Sequence, residues 1–133
     1  MSDEANVREA VPFFRVADIE RSLRFYVEGL GFVMTSSWSP EGHVRWCALR
    51  LGDAGIMLQT RQAVVAAVPE GITICFQCRD ALALYRQFRA HGLNPTRPFV
   101  GNNLWVTSVQ DPDGFRLEFA SPTDAAEESE YEE

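Results

Sequence analysis

Phe14-Arg15-Val16-Ala17-Asp18-Ile19-Glu20-Arg21-Ser22-Leu23-Arg24-Phe25-Tyr26, with Gly29-Leu30-Gly31-Phe32 close behind it, is the stretch that decides the fold. From Val11 to Val16 the chain alternates and is rich in aromatic and β-branched residues, which predicts a strand. Pro12 falls near the start of that strand, where a missing donor matters least. Asp18 is placed to cap a helix, and Ile19, Leu23, Tyr26, Val27 and Leu30 recur at helical spacing as one apolar stripe. The helix is expected from about Asp18 to Gly29, with Gly29 and Gly31 ending it because glycine adopts positive φ readily.

Downstream, Phe32 to Trp38, Val44 to Leu51 and Ile56 to Thr60 read as three strands. They are separated by the turn-like Ser39-Pro40-Glu41-Gly42 and Gly52-Asp53-Ala54-Gly55. Arg61 to Gly71 is less regular, and Ala63 to Val68 reads either as a short helix or as a loop across a cleft. The pattern then restarts. Ile72 to Cys78 is strand-like, and Asp80 caps a helix with the stripe Ala81, Leu84, Tyr85 and Phe88. His91-Gly92 ends that helix. Asn94 to Pro98 reads as a short strand broken by prolines, Leu104 to Val109 as a better one, and Asp111-Pro112-Asp113-Gly114 as a turn into a last strand, Phe115 to Ala120. Both halves run β, α, β, β, β, and Gly31 to Gly92 and Leu23 to Leu84 share an offset of 61. A repeated supersecondary unit packs with its copy and leaves any site between them.

With 133 residues, 46% of them hydrophobic and 23% charged, the chain suits one globular domain. That domain is expected over 1–123, with modules at about 10–60 and 72–121. Residues 124–133 hold six of the 19 acids and no base, leaving 13 acids against 12 bases in the remainder. The formal charge of −7 therefore sits in an end segment that is expected to be a disordered acidic tail. The nearly neutral body lacks the basic excess of a nucleic-acid binder. No apolar run is long enough to span a membrane and no secretory signal opens the chain. Three cysteines suggest no disulfide framework, so the expected location is the cytoplasm. Every basic residue is arginine, which excludes lysine Schiff-base chemistry.

Three segments carry a family resemblance. Phe14 to Tyr26 with Gly29-Leu30-Gly31-Phe32 resembles the opening of glyoxalase I and bleomycin-resistance proteins. Asp111-Pro112-Asp113-Gly114-Phe115-Arg116-Leu117-Glu118-Phe119 resembles their turn and Glu-bearing last strand, and Ile56-Met57-Leu58-Gln59 falls where they have a fourth strand. The ordered set, over about residues 11 to 120, resembles the vicinal oxygen chelate superfamily. That resemblance implies an α+β fold of two tandem βαβββ modules cupped around a shared cleft. It also implies a homodimer, sometimes with modules exchanged between chains, and a divalent metal held by His, Glu or Gln from the first and last strands of each half.

Carried over residue by residue, the metal positions fall on Val11, on Met57 (or Gln59 if the register differs by two), on Thr73 and on Glu118. Only Glu118 matches, whereas such sites use three or four protein ligands. His43 and His91 lie away from those strands. No metal site and no cofactor are therefore expected, a divalent metal being disfavoured. Glu118 is a candidate general base or hydrogen-bond anchor, or else a carboxylate paired with Arg15 or Arg116.

Strand alternation places Phe13, Arg15, Met57, Gln59, Cys75 and Gln77 toward the cleft with Glu118. Trp38, Trp46 and Trp105 would add flat surface there, or serve ordinary core or dimer packing. Such a lining suits a small organic ligand. The spacing Cys75-Phe76-Gln77-Cys78 invites a redox reading, but on a strand residues three apart face opposite ways, so the thiols are not expected to meet. The expected function is ligand binding or sequestration of the bleomycin-resistance type. The alternative is a metal-dependent or altered-site lyase, isomerase, dioxygenase or transferase of the same superfamily.

Overall fold

The computed structural model describes residues 6–61 and 71–132. Strand β1 (Phe13–Val16) leads into α1 (Ile19–Leu23), whose Asp18 cap accepts a hydrogen bond from the Arg21 amide at 3.2 Å. The helix continues as a wider π-helical turn, Arg24–Gly29, closed by Leu30 N donating to Phe25 O at 2.9 Å. Strands β2 (Val33–Trp38), β3 (Trp46–Leu51) and β4 (Ala54–Thr60) complete the first module. In the second, β5 (Thr73–Gln77) is followed by α2 (Ala81–Ala90), capped by Asp80, and then by β6 (Phe99–Gly101), β7 (Leu104–Gln110) and β8 (Arg116–Pro122). The sheets have the orders β1-β4-β3-β2 and β5-β8-β7-β6, each with its first strand parallel to its last and the other pairings antiparallel. The expected α+β architecture of two βαβββ modules is present.

The repeat is not uniform. Asp18 and Asp80, the two caps, lie 62 apart, whereas Gly31 and Gly92, both at positive φ after their helices, lie 61 apart. The π-helical turn accounts for the difference, because it absorbs one residue more than α2 does. Phe13 is thus the counterpart of Cys75: Phe13 pairs with Met57, and Cys75 with Glu118.

Two expectations need correction. Asn94 to Pro98 forms no strand, since Pro95 and Pro98 have no amide to donate; the second strand of this module is Phe99–Gly101. Residues 124–132 are not a loose tail but lie along β6. Val100 N donates to Ser129 O, Glu128 N to Val100 O and Tyr131 N to Pro98 O, all at 2.9 Å. The Glu127 carboxylate accepts from the backbone amides of Asn102 and Asn103, which turn the β6–β7 hairpin at φ of 53° and 64°. Tyr131 packs edge-on against Tyr85 and Trp105 and receives a hydrogen bond from Arg86 at 3.1 Å. The segment covers a sheet edge that would otherwise be open for pairing. The possible helix at Ala63 to Val68 lies outside the described residues.

One core joins the modules. Phe14, Tyr26, Phe32, Leu49 and Leu58 from the first share it with Phe76, Phe88, Leu117 and Phe119 from the second. All are at most 9% exposed, and each such side chain contributes about 1.5–3 kcal/mol of burial. Between modules, Phe14 stacks on Phe115 at 4.1 Å and Phe32 meets Phe76 edge-on at 6.0 Å. His91 Nδ1 lies 2.8 Å from Gly29 O. Phe14, Phe76 and Phe119 belong to the sheet faces that carry the helices, so the modules meet back to back. Among the described residues no helix is long and apolar enough to cross a membrane.

Candidate functional site

Because strand side chains alternate, the pairing register fixes which residues share the open face of each sheet. In the first module one row crosses all four strands: Arg15 pairs with Gln59, Gln59 with Trp46 and Trp46 with Trp38. The next row is Phe13, Met57, Ala48 and Ser36. The intervening residues, such as Phe14, Leu58 and Cys47, go to the core. Phe13 is 41% and Trp38 59% exposed, so this aromatic face lies open to solvent. The Arg15 guanidinium lies over the Phe13 ring, 4.5 Å from Cζ to the centroid.

In the second module the matching row is Gln77, Ala120, Val106 and Phe99. Cys75, Glu118 and Ser108 form the next row, and Thr73, Arg116 and Gln110 the one after. Arg116 Nη2 lies 3.4 Å from Glu118 Oε2, the arginine pairing that the sequence offered as one of two readings for Glu118. Burial, then the Glu118 charge, push the Cys75 thiol above its usual range and keep it a protonated, weak nucleophile. Burial likewise pushes the Cys47 thiol up to about 11.

Trp105 is the one sequence-derived candidate that the register removes from this face. It pairs with Ser121, whose hydroxyl accepts from the Ala81 amide at the start of α2, and its ring meets Tyr131. In β7 the residue on the open face is Val106. A single-residue step between adjacent positions reverses the face, and the lengths of the connections that set it leave no trace in alternation alone. Ser108, Gln110 and Phe99 were missed for the same reason. Phe99 was accessible to the repeat argument, lying 61 residues after Trp38.

Among the described residues no hydrogen bond, ion pair or ring contact joins the open face of one sheet to that of the other. The ring contacts between the modules come from the sheet faces that carry the helices. Two cavities lie at the module junction. One, of about 590 Å³, is lined by Phe25 on the π-helical turn, Leu93, Asn94, Ser108, Gln110 and Arg116. The other, of about 570 Å³, lies by the β3–β4 turn and takes in both Cys75 and Cys78. The thiols line one cavity because β5 ends at Gln77, so strand alternation no longer governs Cys78; both cysteines are free.

The chain, over residues 10–119, matches the sequence profile of the Glyoxalase/Bleomycin resistance protein/Dioxygenase superfamily. The chain belongs to that superfamily. It is 31% identical over 115 residues to a lactoylglutathione lyase of Haemophilus influenzae, covering 79% of this chain and 85% of the lyase. In fold it is similar to a bleomycin-binding protein solved with bleomycin (TM-score 0.68, 19% identity, 86% of this chain and 98% of the other). It is similar also to TnmS3, an antibiotic-binding protein from Streptomyces sp. CB03234 (TM-score 0.68, 20% identity, 90% and 100%). Val11, Met57 and Thr73 are not side chains of the His, Glu or Gln type, and Glu118 lies against Arg116. Among the described residues no group of three or more His, Cys, Asp or Glu side chains is arranged to hold an ion.

Proposed function

We propose that this superfamily member binds a small organic molecule and sequesters it, holding it by ring stacking and hydrogen bonds without a metal chelate. The observation that carries this reading is the row Arg15, Gln59, Trp46 and Trp38 across the open face of the first sheet. Two indoles, an amide and a guanidinium give flat contact area with fixed polar anchors, which is what an organic ligand site needs. The bleomycin-binding and antibiotic-binding neighbours support the reading by example.

A cleft also needs a second wall facing this row. The proposed assembly is a homodimer in which the first module of one protomer faces the second module of its partner. Met57, Gln59 and Phe13 would then look across at Cys75, Gln77 and Glu118. Three free thiols and a nearly neutral body are in keeping with a cytoplasmic protein whose partner is a small molecule rather than nucleic acid.

The direct test is calorimetric titration with a panel of polycyclic and glycopeptide compounds against the native chain and Trp46→Ala. Binding by the native chain that Trp46→Ala abolishes is the expected result, and binding unaffected by that change would count against the site. The 31% identity to a lactoylglutathione lyase favours a second reading, an altered-site enzyme using Glu118 as base. Turnover of the methylglyoxal–glutathione hemithioacetal that disappears in Glu118→Ala would establish it.

A further inference from the structure

We infer that the ligand of the open face is an organic anion: a planar ring system with a carboxylate-like oxyanion about 10 Å from it. This rests on the binding role proposed above and specifies its chemistry. The strands of the first sheet, Phe13–Val16, Val33–Trp38, Trp46–Leu51 and Ala54–Thr60, contain two arginines and no Asp or Glu. Outside residues 124–133 the chain carries 13 acids and 12 bases, and none of those acids lies on these strands.

The two arginines differ in what they do. Arg50 is satisfied within the protein, its Nη1 donating to Asp53 O at 3.0 Å and its Nη2 lying 3.4 Å from Glu9. Arg15 is exposed, and among the described residues its contact is the Phe13 ring alone, with no carboxylate near its guanidinium. Stacking on Phe13 holds the planar group in place while leaving its edge donors free, the geometry suited to a bidentate oxyanion.

Spacing follows from the sheet. Arg15 and Trp46 are two strands apart, and Trp38 is one strand further. At about 4.8 Å per strand this places the indoles about 10 and 14 Å from the cation's strand, with Gln59 between as a hydrogen-bonding amide. A cation at the same point would meet Arg15 with no acid on this sheet to offset it. On the second sheet's open face Glu118 is balanced by Arg116.

The test titrates the full-length protein with three probes sharing one ring and one chain: 4-(2-naphthyl)butanoate, its primary amide and 4-(2-naphthyl)butylamine. The acid is expected to bind about tenfold more tightly than the amide, with the amine weakest. Arg15→Met should make acid and amide equal, while Arg50→Met should leave the preference intact. Equal or tighter binding of the amide or amine, still lost in Trp46→Ala, would overturn the anion assignment and leave the binding role standing. No binding by any probe, together with none across the wider compound panel, would overturn both.

Discussion

Tyr26 Oη donates a hydrogen bond to Asp111 Oδ2 at 2.8 Å, joining the end of the first module's helix to the turn before the second module's last strand. Tyr26 is fully buried and Asp111 is 4% exposed, so the bond is made where water cannot replace it. Asp111 Oδ1 also accepts from the Asp113 and Phe115 amides, which shape the turn, and Asp113 in turn accepts from Ala17 N at 3.0 Å. The Asp-Pro-Asp-Gly turn thus ties the two modules together. Tyr26→Phe removes the phenolic donor without changing the packing and should cost about 1–3 kcal/mol, read as a lower midpoint in chemical denaturation. An unchanged midpoint would show that the bond carries no net stability.

The same pair sets a pH dependence. Burial, then the Asp111 charge, raise the Tyr26 phenol far above its ordinary value of 10.0, so the folded chain keeps this proton while the unfolded chain loses it above about pH 10. The folded state then binds more protons, and stability should fall as pH rises beyond 10. Burial raises the Asp111 carboxyl as well, so its contribution is most favourable at acid pH and is lost as pH rises through the raised value. Thermal melts between pH 8 and 11.5 should show a steeper alkaline decline for the native chain than for Tyr26→Phe. Parallel curves would sink the assignment.

Removing residues 124–133 uncovers the β6 edge and deprives Tyr85 and Trp105 of the Tyr131 ring. The truncated chain should lose about 1–3 kcal/mol and self-associate through the freed edge. Scanning calorimetry and light scattering measure both. The Arg97–Glu130 pair is exposed at 3.4 Å, and its single removal by Glu130→Gln should change little.

A homodimer should sediment at twice the mass of one chain. Val33 is 63% exposed on the open face, in register with Arg50 and away from the row of Arg15 and the indoles. Val33→Asp should weaken the assembly while leaving the circular dichroism spectrum unchanged. A native chain that sediments as a monomer at working concentration would refute the proposed two-chain cleft.

After incubation with excess nickel or zinc and removal of free ion, bound metal should fall well below one per chain, and Glu118→Ala should not lower it further. A stoichiometric, tightly held ion that Glu118→Ala releases would make Glu118 a ligand and overturn the proposal of binding without a metal chelate.

Most elements were legible in the sequence because they are local: Asp18 and Asp80 as caps, the stripe Ile19, Leu23, Tyr26, and the alternation that sends Phe14 inward and Phe13 and Arg15 outward. The chemical identities at Val11, Met57, Thr73 and Glu118 are also sequence facts. Tertiary structure decided what depends on counting residues across connections. An extra residue in the π-helical turn changes the repeat from 62 to 61, and the connection lengths put Val106 rather than Trp105 on the open face. It also decided that the acidic end pairs along β6, because that edge and the arginines holding Tyr131 come from distant positions. Last, it set the modules back to back. Both faces of a sheet carry apolar residues here, and a one-dimensional pattern records that a face is apolar without recording which surface buries it.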